Sequence, residues 1–353
     1  MAADAASRNL FETKLAGRSG SGCCFAQIRG KRSFLPGYYT ARVNAFYSDR
    51  FVLPLPPGHR FPMAKYAALR ARVADELPEV QLLEADAATD GALALAHDPD
   101  YIDRVTRGTL STAEVRAIGF PWSERMVERS RRSAGATIAA CRAALSAGVA
   151  VNLAGGTHHA SRDRGQGYCV FNDAAVAARL IQAEVGRQQR RLFRVAVIDL
   201  DVHQGNGTAA ILAGDPTVFT LSIHGATNFP FRKETSDLDV ALPDETGDAA
   251  YLTALDDALA QLRGRFAPDL LIYLSGADAH EDDRLGKLSL TTAGMRTRDE
   301  RVFAFAAELN LPIAVAMAGG YGREVATTVD VHFNTVAAAV RHWRAGAARR
   351  RAA

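Results

Sequence analysis

The residues most able to do chemistry lie in the stretch RVAVIDLDVHQGNGTAAIL, residues 194–212. Asp199, Asp201 and His203 follow an apolar run there at every second position. Side chains alternate in an extended chain, so this spacing predicts that the two carboxylates and the imidazole face one side. Carboxylate oxygens and imidazole nitrogens are common ligands of transition metals. The stretch therefore indicates a metal site.

The same stretch also fits a second interpretation, because Gly205-x-Gly207-x-x-Ala210 resembles the glycine pattern that binds a dinucleotide pyrophosphate. That pattern requires an acidic residue near the end of the next strand, and the next apolar run, VFTLSIHG, ends without one. Carboxylates beside the loop would also repel a pyrophosphate. If the acids only capped the following helix, one carboxylate would be explained, but not three ligand-type groups in alternation. We therefore favour the metal site.

Asp278, in SGADAHEDD, is the best candidate for a third ligand. It follows the apolar run DLLIYLSGAD, and the three residues before it are small enough for a close backbone approach. A hydrolytic metal site usually keeps three protein ligands and one open position. An aspartate at this position could instead cap a helix. Its combination with Asp201 and His203 favours ligation.

Adjacent histidines, His158 and His159, occur in GGTHHAS. Two glycines interrupt the preceding apolar run, which predicts that the pair lies on a loop. Imidazoles titrate near neutral pH and serve there as general acids and bases. A second zinc site is the alternative, but no further ligand-type residues lie nearby in the sequence. We therefore favour proton transfer.

Two tyrosines are further candidates for the site. Tyr321, in MAGGYG, is either a packing aromatic or a hydrogen-bond donor to a developing oxyanion. Tyr168, in GQGYCVFND, is either the wall of a pocket or a packing residue. The adjacent Cys169 has no activating neighbours, and we expect a buried thiol.

The elements that would position these residues alternate along the chain. Helix-like segments cover residues 124–148, 171–188, 248–266 and 291–309. Strands that are apolar on both faces are typical of a parallel sheet covered by helices. The sequence therefore predicts a single α/β domain, with a mainly parallel sheet and helices on both faces. The runs predicted as strands are NAFYSDRFVL, VQLLEA, GVAVNLAGG, RVAVIDLD, VFTLSIHG, DLLIYLSGAD and LPIAVAMAGG.

Reactive residues follow four of the predicted strands. They are the histidine pair, the Asp-x-Asp-x-His group, Asp278 and Tyr321. In open parallel sheets, ligands bind beyond the carboxyl ends of the strands. We therefore expect these groups to form one site.

Composition limits the classes of function. The 353 residues are 48% hydrophobic and 23% charged, which predicts a folded core. The formal charge of +3 is too balanced to favour direct nucleic-acid binding. No apolar run reaches the roughly 18 residues that a membrane span needs, and no secretory signal is visible. We expect a cytoplasmic protein with no membrane partner, and we expect its cysteines, Cys23, Cys24, Cys141 and Cys169, to be free thiols.

We divide the chain into a flexible extension (residues 1–44), a catalytic domain (45–345) and a basic tail (346–353). Within residues 45–330 the chain resembles the histone deacetylase superfamily, which has the arginase/deacetylase fold. More narrowly, it resembles the class IV-like bacterial branch near the acetoin-utilisation proteins. The resemblance rests on FYSDRFVLPLPPGHRFPMAKY, IGFPWSERMVERSRRSAGATIAA, LAGGTHHASRDRGQGYCVFNDAAVAA, VIDLDVHQGNGTA, TLSIHG, SGADAHEDDRLGKLSLT and AGGYG.

The resemblance implies a metal-dependent amidohydrolase that removes an acetyl or longer acyl group from a lysine side chain or a similar amine. It implies that Zn²⁺, with Fe²⁺ as the alternative, is bound by Asp201, His203 and Asp278. It also implies that a structural monovalent cation, K⁺, is bound near the same strand. The residues that match this second site are Asp199, Asp201, His203 and Ser222.

The resemblance implies further catalytic roles. His158 and His159 match the histidine dyad, with His159 as the general base. Asp199 matches the acid that hydrogen-bonds the first histidine, and Tyr321 matches the oxyanion donor. The positions that match the lining of the acyl-lysine tunnel are Tyr168 and Leu285.

Two positions depart from the best-studied family pattern. Asn206 stands where class I members have a second acid behind the dyad. An amide cannot stabilise an imidazolium as a carboxylate does, so we expect His159 to be less basic. Lys65 stands where many members have an arginine beneath the site. The role in acetate release that the family resemblance implies for that arginine is therefore not assigned to Lys65.

Other functions stay open on the sequence. The substrate could be an acylated protein lysine, an acetylpolyamine or another small amide. An arginase-like ureohydrolase has the same fold but needs two metals, and Asp278-Ala279-His280 lacks its Asp-x-Asp. A non-catalytic binding module is disfavoured because the ligands, the dyad and the tyrosine are all present.

Overall fold

The computed structural model of the protein describes residues 42–352. Within them, eight strands form one sheet in which every neighbouring pair is parallel. They are β1 (Val43–Tyr47), β2 (Val80–Glu84), β3 (Val149–Asn152), β4 (Val195–Asp199), β5 (Val218–Gly225), β6 (Leu238–Leu242), β7 (Leu270–Ser275) and β8 (Ile313–Met317). The strand order across the sheet is β2-β1-β3-β8-β7-β4-β5-β6. This confirms the predicted parallel α/β sheet.

Helices cover both faces of the sheet, as predicted. Alternate residues of β3 show this, because Val149 and Val151 pack into one apolar cluster and Ala150 packs into the other. The first cluster takes in residues of α8, α9 and α10, and the second takes in residues of α5 and α6. The helices are α1 (Ala64–Glu76), α2 (Asp90–Leu93), α3 (Pro99–Arg107), α4 (Thr112–Ile118), α5 (Glu124–Ala147), α6 (Asp173–Gln189), α7 (Asn206–Leu212), α8 (Asp248–Arg265), α9 (Thr292–Glu308) and α10 (Val325–Ala352).

One strand, β6, was not predicted, and another was predicted too long. β6 was missed because its sequence, LDVAL, is not apolar on both faces. It lies at the edge of the sheet, pairs only with β5 and has exposed residues at Asp239 and Ala241. The predicted strand NAFYSDRFVL is too long, because β1 ends at Tyr47 and a loop leads from there to α1.

The first strand and the last helix can be compared with the predicted domain limits, which stay predictions. β1 begins at Val43, two residues before the predicted start of the catalytic domain. α10 continues through residue 346 to Ala352, so no change of secondary structure marks the predicted basic tail. Residues 1–41 of the predicted extension, with Cys23 and Cys24, lie outside the described residues. Among residues 42–352, every helix is too short or too polar to be a membrane-span candidate.

Candidate metal centre and catalytic site

The predicted site residues follow the four strands at the centre of the sheet. These strands are neighbours, in the order β3-β8-β7-β4. Because all four are parallel, their carboxyl ends meet at one edge. The residues brought there are His158 and His159 after β3, Tyr321 after β8, Asp278 after β7, and Asp199, Asp201 and His203 at the end of β4 and just beyond it.

The structure corrects the reason why Asp199, Asp201 and His203 come together. β4 ends at Asp199, so the other two residues lie in a loop and strand alternation does not align them. The backbone N–H of Asp201 donates to Asp199 Oδ1 (3.1 Å), and the N–H of His203 donates to Asp201 Oδ1 (2.9 Å). Such side-chain to backbone bonds favour tight turns. The Asp199 carboxylate therefore faces His158, while the other two side chains face Asp278.

Asp201, His203 and Asp278 form a group that can hold a cation. One ligand atom from each lies within 4.8 Å of the others. His203 Nδ1 is 2.9 Å from Asp201 Oδ1 and 3.2 Å from Asp278 Oδ2. Asp278 Oδ2 is buried and accepts no well-formed hydrogen bond from any described residue. A buried carboxylate oxygen without a donor is what a metal ligand requires, so these three residues fit a divalent cation.

The electrostatics of this group also fit a bound positive charge. Burial, together with the charge of Asp201, raises the pKa of Asp278 to about 7. Burial would lower the pKa of His203, but the close carboxylates of Asp201 and Asp278 outweigh it and raise that pKa to about 10. The two carboxylates thus stabilise a cation between them, whether an imidazolium or a metal ion.

Gly319, in the loop after β8, lets the backbone approach these ligands. Its N–H donates to Asp201 Oδ2 (2.6 Å). A Cβ at this position would lie 1.7 Å from Asp278 Oδ2 and 2.6 Å from Asp201 Oδ2. Any side chain here would therefore displace both carboxylates.

The two histidines of the dyad lie side by side, with ring centroids 4.2 Å apart, but differ in basicity. His158 Nδ1 donates to Asp199 Oδ2 (2.6 Å). Burial disfavours a charge on His158, but the charges of Asp199 and Asp201 outweigh it and raise its pKa to about 9. His158 is therefore protonated near neutral pH when the centre holds no metal.

His159 has the opposite character. Its Nδ1 donates to Asn206 Oδ1 (2.7 Å), which leaves a lone pair on Nε2 of the neutral ring. Burial and the neighbouring His158 and His203 hold the pKa of His159 well below its usual value. The hydrogen bond with Asn206 by itself raises this pKa, so the expectation that an amide in place of an acid makes His159 less basic stays a prediction. A neutral and a charged imidazole in one site can divide the roles of base and acid.

Tyr321 lines the same cavity, and its position is fixed from two sides. Asp283, buried in the loop after β7, accepts the N–H of Tyr321 at Oδ2 (2.5 Å) and those of Leu285 and Gly286 at Oδ1 (2.8 and 2.9 Å). The buried Lys65 Nζ lies 5.4 Å from the centre of the Tyr321 ring and donates to nearby carbonyls. Burial and the charge of Asp278 raise the pKa of Tyr321 well above its usual value, so the phenol keeps its proton.

Aromatic side chains form the walls of a cavity of about 740 Å³ above the metal group. Tyr168 lines it, with its ring centre 5.2 Å from those of Phe61 and Phe120. Its backbone is left-handed, with φ 66°, a conformation that costs a tyrosine energy and occurs mainly where surrounding structure imposes it. Phe229 packs edge-on against His159 at 4.9 Å. The predicted tunnel residues Tyr168 and Leu285 both line this cavity, whereas sequence analysis did not identify Phe61 and Phe229.

A buried network that sequence analysis missed supports the dyad loop. The Asn172 side chain caps α6 and donates to the carbonyls of His158 (3.2 Å) and Ala160 (3.1 Å). The backbone N–H of Asn172 donates in turn to His97 Nε2 (2.8 Å), and His97 Nδ1 donates to the Ser161 carbonyl (2.9 Å). His97 therefore ties the segment just after the dyad to the start of α6.

Arg298 supports the opposite side of the centre and was also missed. This fully buried residue of α9 donates to the carbonyls of Leu200 (3.3 Å) and Gly276 (2.6 Å), next to the metal ligands on the β4 and β7 loops. Asp299 neutralises its charge at 2.8 Å. Asp299 also accepts the hydroxyls of Tyr273 and Thr335, so every member of the network is bonded.

The remaining predicted residues lie close by. Ser222 is the partner of Asp199 in the β4–β5 register, and its hydroxyl lies 2.9 Å from His224 Nδ1. A monovalent cation at this position stays a prediction. Cys141 and Cys169 are buried free thiols, and burial raises the pKa of both. Cys169 therefore has the inert character that was predicted.

Comparison with known proteins agrees with this geometry. The family model described as the histone deacetylase domain matches residues 59–336, so the chain belongs to this family. The chain is 40% identical over 288 residues to an uncharacterised protein of Picosynechococcus, covering 81% of this chain and 94% of the relative. It is 29% identical over 304 residues to histone deacetylase 2 of Arabidopsis thaliana, covering 82% and 77%. The predicted family is thereby confirmed.

Two relatives with other names match shorter regions. The acetoin utilization protein AcuC of Bacillus subtilis is 33% identical, with 58% of this chain and 57% of the relative covered. The acetylpolyamine amidohydrolase of Burkholderia pseudomallei is 35% identical, with 54% and 56% covered. Among solved structures, a histone deacetylase homologue from Aquifex aeolicus superposes with a TM-score of 0.71 at 22% identity, and 84% of each chain is covered. This last similarity shows the fold.

Proposed function

We propose that this protein is a metal-dependent amidohydrolase that removes an acetyl or longer acyl group from an acylated lysine side chain or a similar amine. One observation carries the proposal. Asp201 and His203, the histidine pair and Tyr321 all line one aromatic cavity, and Asp278 completes the metal group beside Asp201 and His203. Membership of the histone deacetylase family supports the same chemistry.

Asp201, His203 and Asp278 would hold the cation. When bound, a divalent cation supplies a Lewis acid that polarises an acyl carbonyl and acidifies water. Zn²⁺ is the proposed metal, and Fe²⁺ is the alternative because two carboxylates and an imidazole accept either. A structural K⁺ near Asp199 and Ser222 belongs to the same proposal.

The side chains around the cation divide the remaining work. Neutral His159 accepts the proton of the attacking water at Nε2. Tyr321 donates a hydrogen bond to the carbonyl oxygen as negative charge develops on it, an interaction formed mainly in the transition state. A histidine of the dyad then protonates the departing amine. The products are a carboxylate and a free amine.

Asp199 and Asn206 orient the dyad, and Tyr168, Phe61 and Leu285 enclose the acyl-lysine stem. A cytoplasmic location is part of the proposal, because the two described cysteines are buried and unpaired, as expected in a reducing compartment.

Release of carboxylate from an acetyl-lysine peptide tests the proposal. We expect turnover that a chelator abolishes and added metal restores. A Tyr321→Phe variant that binds metal normally should turn over at least ~100-fold more slowly, because it lacks the oxyanion donor. Absence of hydrolysis with acetyl-lysine peptides, longer acyl-lysine peptides and acetylpolyamines alike would contradict the proposal and favour a non-catalytic binding module.

A ureohydrolase of the arginase type receives less support. It requires a second metal, but the described residues contain only one cluster of three or more potential ligands. His280, at the position where a second bridging acid would be needed, is instead bonded to Thr292 Oγ1 (3.0 Å).

A further inference from the structure

The charges at the mouth of the cavity bear on which acylated amine enters it. Arg116, on α4, and Lys287, in the loop after β7, both line the cavity. Among the described lining residues, the metal ligand Asp201 is the only one with a carboxylate. A cationic substrate would therefore meet positive charge at the entrance and would have no carboxylate there to bind it.

The Lys287 side of the mouth is a well-connected structure. Buried Asn228 donates to the Leu285 carbonyl (2.8 Å) and accepts the N–H of Lys287 (3.2 Å). It thereby joins the loop before β6 to the loop after β7. Lys287 Nζ donates to Thr227 Oγ1 (2.7 Å) and lies 3.6 Å from Asp244, which neutralises part of its charge.

Two cations receive no such neutralisation: Arg116 at the mouth, and Lys233, which lies in the loop before β6 but does not line the cavity. Lys233 donates only to the backbone carbonyls of Asn228 (2.5 Å) and Pro230 (2.6 Å), and burial together with the charge of Lys287 lowers its pKa. Arg116 is exposed and forms no ion pair with any described residue. The mouth thus carries a net positive charge that an anionic group of a ligand would stabilise.

An apolar side chain accompanies these charges. Phe231 lines the mouth with 92% of its surface exposed, and its ring is 6.3 Å from that of Phe229. A substrate that ended at the acylated amine would leave Phe231 in water. A longer chain that continued past the mouth would cover it.

We propose that this enzyme selects acylated lysines within peptide segments that carry acidic residues beside the lysine, and that it discriminates against polycationic acylamines. The inference rests on the proposed amidohydrolase function and specifies its substrate. The acidic flanking residues bind Arg116 and the Lys287 side of the mouth, while Phe231 contacts the backbone or an apolar neighbour.

Three acetyl-lysine peptides that differ only in the two residues beside the lysine test the proposal, together with acetylspermidine. We expect kcat/KM to fall from the Glu-flanked to the Gln-flanked to the Lys-flanked peptide, by about 10-fold overall at low salt, with acetylspermidine poorest. The preference should shrink in about 0.5 M salt, because exposed charges are screened.

Charge reversal locates the preference on the protein. The double variant Arg116→Glu, Lys287→Glu should favour the Lys-flanked peptide. Arg187→Glu is the matched control. This exposed arginine lies near the end of α6, which runs from the carboxyl edge of the sheet towards its amino edge, so the wild-type order should persist.

Measurable turnover with equal kcat/KM for all three peptides, or faster turnover of acetylspermidine, would overturn this specificity while leaving the hydrolase function intact. An unchanged preference in the double variant would overturn it as well. No turnover of any substrate by the metal-loaded wild type would overturn the proposed function itself and this inference with it.

Discussion

The Asp283 carboxylate accepts the backbone N–H of Tyr321 at 2.5 Å, although the two residues are 38 positions apart. The other oxygen of the same carboxylate accepts the N–H groups of Leu285 and Gly286. One buried side chain thereby fixes the proposed oxyanion donor relative to the rim of the cavity. Asp283 is a positioning residue, because it acts on Tyr321 through the backbone.

An Asp283→Asn variant should lower kcat by at least ~10-fold with little change in KM. One oxygen becomes an NH₂ group that cannot accept a backbone N–H, so either Tyr321 or the Leu285 turn is displaced. Steady-state kinetics on the metal-loaded variant provide the measurement. Asp282→Asn, at a more exposed neighbour, is the control and should keep the wild-type kcat. Equal kcat for the Asp283 variant and wild type would refute the positioning role.

The pairing of His159 with Asn206 predicts a pH effect. Replacing Asn206 with Asp would place a carboxylate on His159 Nδ1, which stabilises the imidazolium and raises the pKa of His159. Because His159 acts in its neutral form, the acidic limb of the kcat/KM profile should move to higher pH. A profile from pH 5 to 9 for both proteins, with metal content matched, checks this. A limb that stays in place or moves to lower pH would contradict the assignment of His159 as the base.

His97 predicts how stability depends on pH. Burial lowers the pKa of His97 to about 4, and its unprotonated Nε2 accepts the Asn172 N–H. The unfolded chain takes up a proton below its ordinary pKa of about 6.5, and the folded chain does not until pH 4. This contribution to stability is therefore complete above pH 6.5 and is lost as the pH falls towards 4, by about 2–3 kcal/mol.

A His97→Gln variant isolates this effect, because glutamine can donate and accept hydrogen bonds without titrating. Urea unfolding at pH 7 and pH 4.5 should show a smaller loss of stability for the variant than for wild type. Identical losses would show that His97 does not titrate on unfolding as described.

Arg298 should contribute strongly to stability. Arg298→Met would leave the Asp299 carboxylate buried without its cation, and the carbonyls of Leu200 and Gly276 without their donor. We expect a loss of about 3–5 kcal/mol in the free energy of unfolding. Arg296→Met, at an exposed position of the same helix, is the matched control and should change it by less than about 0.5 kcal/mol. A similar small effect at both positions would contradict the proposed support of the centre by Arg298.

The sequence predicted the parallel sheet and the residues that approach the cation because each follows a buried strand closely. Such strands are recognisable by their apolar runs, and parallel pairing carries their ends to one edge. The detailed reason given for Asp201 and His203 was wrong, because turns formed by side-chain to backbone bonds cannot be distinguished from an extended strand by spacing alone. β6 was not predicted for a related reason, since an edge strand that is covered on one face lacks a continuous apolar run.

The supporting residues could not be predicted because their partners are remote. Arg298 donates to a carbonyl 98 residues away, and His97 accepts an N–H 75 residues away. Backbone groups leave no signature in the sequence, so neither side chain differs locally from an ordinary surface residue. The wall formed by Phe229 was missed because its loop contains no recognisable motif.

The central claim is that Asp201, His203 and Asp278 bind one cation per chain. Element analysis by mass spectrometry of the purified protein, after dialysis with excess Zn²⁺ and its removal, measures this directly. We expect one transition-metal ion per wild-type chain, and a large loss of bound metal in a folded Asp278→Ala variant but not in Asp282→Asn. Two ions per chain, none, or undiminished binding by Asp278→Ala would contradict the account.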